Sequence, residues 1–163
     1  MNYFGVQAYH GSEVTILNSI IYDNSSANLG GRGSGYVFNV SYSDIEGGYT
    51  GTGNINSNPL FIDAVNGDYR LSDHSPAIGA GTSSGAPAVD INGVSRPNPS
   101  GSSPDMGAYE NSRASPFVVT ILSTSISTYN NIVSVTFNDT VFNTDNGTGI
   151  LEPSDFIFSL DGG

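Results

Sequence analysis

Short runs of apolar β-formers alternate with clusters of Gly, Asn and Ser along residues 1–57, and almost nothing there repeats with a helical period. The pattern predicts brief strands joined by turns. In Val14-Thr-Ile-Leu-Asn-Ser-Ile-Ile21 one set of alternate side chains is Val14, Ile16, Asn18 and Ile20, and the other is Thr15, Leu17, Ser19 and Ile21. Neither set is purely polar, as expected where turns bend a strand. Asn18-Ser19-Ile20-Ile21 lines up with Tyr42-Ser43-Asp44-Ile45 at an offset of 24 residues. A period in the twenties suits one coil of a solenoid, whose units bury their apolar faces only by stacking on one another. Coincidence in a biased composition is the competing account. Strands in such a stack lie about 4.8 Å apart, so like residues form ladders. Asn18, Asn24 and Asn39 are therefore candidates for stacked or turn-bridging amides.

Residues 58–112 are dense in punctuation: Asn58-Pro59, Asn66-Gly67, Ser75-Pro76, Gly79, Gly81, Asn92-Gly93, Pro97, Pro99 and Pro104. Such spacing leaves room only for short strands and ordered turns. Pro59 pushes Asn58 into an extended state and starts a strand at Leu60-Phe61-Ile62. Asn66-Gly67 supplies positive φ for a tight turn into Tyr69-Arg70-Leu71, a hairpin signature. A stiff, turn-rich segment of this kind answers the aggregation hazard of an open solenoid end.

The composition shifts at Asn111-Ser-Arg-Ala-Ser-Pro116, and residues 113–116 read as a linker. Beyond it come three strand-like runs, Phe117–Leu122, Ile132–Asn138 and Asp155–Leu160. In the second, Val133, Val135 and Phe137 share a face; in the third, Phe156, Phe158 and Leu160 do. Spaced runs with turns such as Asp145-Asn-Gly-Thr-Gly149 argue for the start of a β-sandwich over 117–163, cut short after three or four strands.

Charge narrows the function classes. Lysine is absent, four arginines face 15 acidic residues, and the net charge is −11. That balance repels phosphate backbones and anionic lipid, which argues against nucleic acid as a partner. With no cysteine, disulfides, Cys-zinc sites and thiol catalysis are all excluded. No apolar run approaches the roughly 20 residues of a membrane span, and the first residues carry no signal-peptide pattern. Both termini read as cuts in a longer chain.

Five motifs follow one another in order: Asn58-Pro-Leu-Phe-Ile-Asp63, Asn66-Gly-Asp-Tyr-Arg-Leu71, Ser75-Pro-Ala-Ile-Gly-Ala-Gly81, Asp90-Ile-Asn-Gly-Val-Ser-Arg-Pro97 and Pro104-Asp-Met-Gly-Ala-Tyr-Glu110. Together they resemble the closing segment of a right-handed parallel β-helix in large bacterial surface proteins, the choice-of-anchor Q region of the pectin-lyase-like superfamily. Val135-Thr-Phe-Asn-Asp-Thr-Val141 and Glu152-Pro-Ser-Asp-Phe-Ile-Phe158 look like bacterial immunoglobulin-like modules. The resemblance implies an all-β chain. Residues 1–57 would be the final β-helix coils, 58–112 a turn-rich C-terminal cap segment, 113–116 a linker and 117–163 a partial immunoglobulin-like β-sandwich. It also implies an extracellular or cell-surface location, with polysaccharide or surface glycans as partners.

The superfamily contains polysaccharide lyases and glycoside hydrolases, so catalysis needs a separate test. No cluster of basic residues of the kind a lyase uses is visible, and Arg70 and Arg96 read as partners in structural salt bridges, with Asp68 on the face of Arg70. Asp44 and Glu46 form the best carboxylate pair, since alternate strand residues project from one face about 6 to 7 Å apart. That separation lies within the roughly 5 to 9.5 Å used by glycosidases. Two solvated acids beside Gly47-Gly48 is the plainer account, and no catalytic residue is assigned.

For a hard cation the candidates are Asp63, Asp68 and Asp90. Asp90-Ile-Asn92-Gly93 has the opening spacing of an EF-hand loop but lacks its third ligand position and closing Glu. Asx turns account for all three without metal, as they do for Asp145 and Asn146. No cofactor is expected, with a structural Ca²⁺ left open. His10 and His74 have no visible ligand partners, and Gly30–Gly35 reads as a loop without the context of a phosphate cradle. The nine tyrosines are either sugar-stacking platforms or half-buried strand residues. The expected role is a non-catalytic structural, adhesive or carbohydrate-contacting segment of a secreted or cell-surface bacterial β-helix protein. The alternative is the C-terminal part of a polysaccharide lyase or glycoside hydrolase whose active site lies upstream.

Overall fold

The computed structural model describes residues 4–118, 120–129 and 132–138. Every named element among them is a β-strand except one short 3-10 turn, so the chain is all-β as expected. It divides into two units, Met1–Phe117 and Val118–Gly163.

The first unit opens with six strands: β1 (Phe4–Tyr9), β2 (Glu13–Leu17), β3 (Ile20–Ile21), β4 (Ala27–Arg32), β5 (Val37–Ser41) and β6 (Asp44–Ile45). They pair in parallel as β1 with β4, β2 with β5 and β3 with β6. The registers Phe4↔Ala27, Glu13↔Val37 and Ile20↔Asp44 match each strand to one 23 or 24 residues later. This is the offset of the Asn18 and Tyr42 repeat. Residues 4–21 thus form one level and 27–45 the next. Asn18 and Tyr42 are the corners between the second and third strands of each level, and both adopt positive φ, 49° and 47°. Asparagine tolerates that conformation well and tyrosine less so.

The apolar pattern explains the register. Val6 pairs with Leu29, Val14 with Phe38, Ile16 with Val40 and Ile21 with Ile45, and these eight residues make up the first core. A slip of one residue reverses the faces and exposes them. Gly30 and Gly31 depart from the expected loop, because they lie inside β4. A Cβ on Gly30 would come within 2.1 Å of the Phe4 ring, and one on Gly31 within 2.4 Å of the Tyr36 ring. Glycine there makes room for aromatic rings against the strand. A partial third level follows, in which Ile55 bridges to Asp44 in parallel.

Residues 58–112 contain one hairpin, β7 (Phe61–Asp63) and β8 (Asp68–Leu71), antiparallel across the 3-10 turn Ala64–Asn66. Gly67 supplies the positive φ of 83°, and the Asp63 side chain caps the turn. Leu60 does not begin the strand as expected. It has φ 50°, because the Asn58 carboxamide accepts its N–H at 3.0 Å and curls the chain around Pro59. The remainder is turns, packed around a second core of Leu71, Ala77, Ile78 and Met106. Ile20, Tyr42 and Ile55 pack against this core, one from each successive level. The segment therefore lies along the flank of the stack.

The residues expected as a linker are fastened to this unit. Arg113 Nε sits 2.9 Å from Asp73 Oδ2, and its guanidinium lies 4.9 Å from the centroid of the Phe117 ring. Phe117 donates its N–H to Asp73 O at 2.7 Å and meets His74 edge to face.

In the second unit β9 (Ile121–Ile126) and β10 (Val133–Phe137) form an antiparallel pair, irregular at Thr136/Phe137. Val135 and Phe137 are half-buried on the predicted face. Strand β9 begins later than the Phe117–Leu122 run suggested, since Phe117 belongs to the first unit. The run Asp155–Leu160 and the turn at Asp145 lie outside the described residues.

Candidate functional site

Among the described residues the buried ionisable side chains lie in two places, the β6 strand and the turns of 88–111. Asp44 is fully buried. Its column runs Ile20, Asp44, Ile55 by register, so a carboxyl group stands between two isoleucines where the levels meet the second core. One oxygen accepts Ser57 N–H at 3.1 Å, and the other has no partner among the described residues. Burial pushes this carboxyl above its ordinary range, against the Ser57 bond that pulls it down. Glu46 is half-exposed and turned to backbone work: it accepts Asp23 N–H at 2.8 Å and the Asn28 amide at 3.2 Å. The phenol of Tyr22 is pushed up by burial and, after it, by Glu46, Asp44 and Asp23. Of the candidate carboxylate pair, one member is sealed from solvent and the other holds a turn.

The three cation candidates are engaged separately. Asp63 accepts Asn66 N–H at 3.3 Å and the Asn66 amide at 2.7 Å. Asp68 grips Arg70 through two hydrogen bonds of 2.8 and 2.5 Å, which lower its carboxyl to about 2. Asp90 is the hub of a turn: one oxygen accepts Asn92 and Val94 N–H, both at 2.8 Å, and the other accepts Glu110 N–H at 3.0 Å. Burial alone would raise it, and these three donors outweigh burial, so it lies below the usual carboxylate range. Among the described residues no group of three or more His, Asp or Glu side chains is placed to hold a metal ion. His10 meets Ser34 N–H, and His74 sits on Phe117.

The densest cluster is only partly legible in the sequence. Arg96 Nε lies 2.8 Å from Glu110 Oε1, with the two side chains 5% and 0% exposed. Its N–H is not aimed at an acceptor, so the contact is a charge pair, while Nη2 donates to Gly107 O at 3.0 Å. Glu110 also accepts the N–H groups of Asp105 and Asn98, each at 3.0 Å. Fully buried Asp105 accepts Gly79 N–H at 2.8 Å and Asn111 N–H at 2.6 Å. Desolvation nevertheless carries its carboxyl up to about 6. Asp105 and Glu110 were visible in sequence as the two acids of Pro104-Asp-Met-Gly-Ala-Tyr-Glu110. Nothing in that spacing says that both point inward.

The Asn18 carboxamide joins the two parts. It donates to Thr82 O at 2.7 Å and accepts Thr82 N–H at 2.8 Å, and Asn18 O accepts Gly107 N–H at 2.8 Å. Asn24 bonds Asn28, and Asn39 bonds Glu13 across the β2–β5 pair, so the three asparagines bridge neighbours and do not stack on one another. Beside this network an open groove of about 230 Å³ is lined by Ile62, Arg70, Leu71, Asp90, Asn92, Val94, Tyr109, Glu110, Asn111 and Ser112. No helix among the described residues is long and apolar enough to cross a membrane. No protein family, curated protein or solved structure matches the chain.

Proposed function

We propose that this chain is a non-catalytic structural, adhesive or carbohydrate-contacting segment of a large secreted or cell-surface bacterial protein. In this reading residues 1–57 are coils of a right-handed parallel β-helix of the pectin-lyase-like kind, and 58–112 is its choice-of-anchor Q type closing segment. Residues 117–163 begin an immunoglobulin-like module. The observation that supports it most is the threefold parallel pairing at a 23-to-24-residue offset, with in-register apolar partners. The use made of the carboxylates supports it too, since Asp44, Glu46, Asp90, Asp105 and Glu110 all accept backbone N–H groups.

The test is incubation of the purified chain with polygalacturonate, alginate, xylan and cellulose fragments. The expected result is no unsaturated product and no new reducing ends. Product that vanishes in Glu46→Gln, a variant that leaves the buried positions intact, would sink the non-catalytic reading.

A further inference from the structure

We propose that the groove beside Arg70 and Tyr109 binds a single ring of a neutral saccharide; this rests on the carbohydrate-contacting reading above. Its walls are fixed before any ligand arrives. Asp90 is held by three backbone N–H groups, and the Asn111 amide donates to Leu71 O at 3.2 Å and Asp73 Oδ1 at 3.1 Å. A preformed site loses little entropy on binding. Its apolar surface comes from Ile62, which is 53% exposed, with Val94, Leu71 and the half-buried Tyr109. The side chains of Asn92, Tyr109 and Ser112 make no hydrogen bond among the described residues, so their polar atoms are available at the groove. A sugar ring offers a matching pair of surfaces, a C–H face for the aromatic and aliphatic groups and hydroxyls for the amide and alcohols.

Charge selects the neutral class. Arg70 is matched by Asp68 and Glu110 by Arg96, and the Asp90 carboxylate, held ionised by three backbone N–H groups and by Arg96, keeps the excess negative on a chain of net charge −11. An anionic ligand is repelled, and a bare cation finds no cluster of three acids among the described residues. Size selects one ring: about 230 Å³ falls short of the roughly 300 Å³ at which sites for drug-sized ligands begin.

The experiment is an amide-resolved NMR titration of the full chain. The probes are methyl glycosides of glucose, galactose, mannose, xylose and N-acetylglucosamine, with galacturonate as the anionic control. Addition up to about 50 mM registers even a Kd on the order of 10 mM. The expected result is shifts at Asn92, Val94, Tyr109 and Ser112 with at least one neutral glycoside and none with galacturonate. Tyr109→Ala weakens them at least tenfold while the rest of the spectrum holds. Should that variant unfold, Asn92→Ala, in an exposed turn, takes its place. The proposal is overturned if no neutral glycoside moves these amides, if galacturonate moves them equally, or if all shifts fall elsewhere on the chain. Product signals growing in the same tubes would overturn the non-catalytic reading and leave the groove assignment standing.

Discussion

Arg96 and Glu110 are buried together with Asp105, and each acid also carries backbone N–H groups that turn geometry leaves without other acceptors. Removing one partner of such a pair leaves a charge stranded in low dielectric, which costs about 3–5 kcal/mol. Arg96→Met is therefore expected to lower stability by about that much. Urea unfolding should show it as a lower midpoint with unchanged slope. Arg70→Met, whose partner Asp68 is solvent-facing, should cost far less in the same assay, because exposed pairs contribute little. The two arginines read alike in sequence: both sit in turn motifs beside acids. What separates them is burial, set by contacts with residues such as Gly107 and Asn98 that close only when the whole segment folds.

Ser19 and Ser43 occupy the same place in consecutive levels. Ser43 Oγ accepts Ser19 N–H at 3.1 Å, and Asn54 Oδ1 continues the column by accepting Ser43 N–H at 3.1 Å. The strand pairing itself can be tested with engineered thiols, since the chain has no cysteine to interfere. Thr15 and Asn39 are register partners, both exposed. In-register parallel neighbours bring Cα atoms within the roughly 4.4–6.8 Å that a disulfide spans. Thr15→Cys with Asn39→Cys should oxidise readily. Thr15→Cys with Phe38→Cys should not, because Phe38 belongs to the inward set. Mass spectrometry under mild oxidant reads both. The offset of 24 was legible because side-chain alternation repeats it. The bounds were less so: Leu60 yields to an asparagine carboxamide, Gly30 and Gly31 are strand because two rings need the space, and Phe117 is claimed by His74 and Arg113. The Gly30 and Phe117 exceptions are tertiary contacts overriding a local preference, whereas the Leu60 turn is a local bond to Asn58, two residues back, and Gly31 answers Tyr36 five residues on.

Across the whole molecule the acids set opposing pH dependences. Asp105, carried to about 6, and Asp44, raised by burial, bind protons more tightly when folded than when unfolded. Their contribution therefore grows as pH falls through the folded value toward the ordinary carboxylate range, and it is absent well above it. Asp68, Asp73 and Asp90 are held below their ordinary values, by Arg70, by Arg113 and by backbone N–H groups respectively. They stabilise above the usual carboxylate range, and that stability is lost as pH falls toward their folded values. Thermal melts are expected to peak between about pH 4 and 6 and to fall on both sides. A flat profile from pH 5 to 7.5 would contradict the buried placement of Asp105.

The flanking position of residues 58–112 has a mechanical consequence. Hydrogen bonds between parallel levels point along the axis of the stack, so a pull along that axis loads them end-on and opens one level from the next. A segment gripping Asn18, Tyr42 and Ile55 spans those seams like a splint. Peeling the first level from the second must shear the Asn18–Thr82 pair and the packing of Ile20 in the same event. Tension on this part of the chain is thus shared between two sets of contacts, and the stack yields only where both give way together.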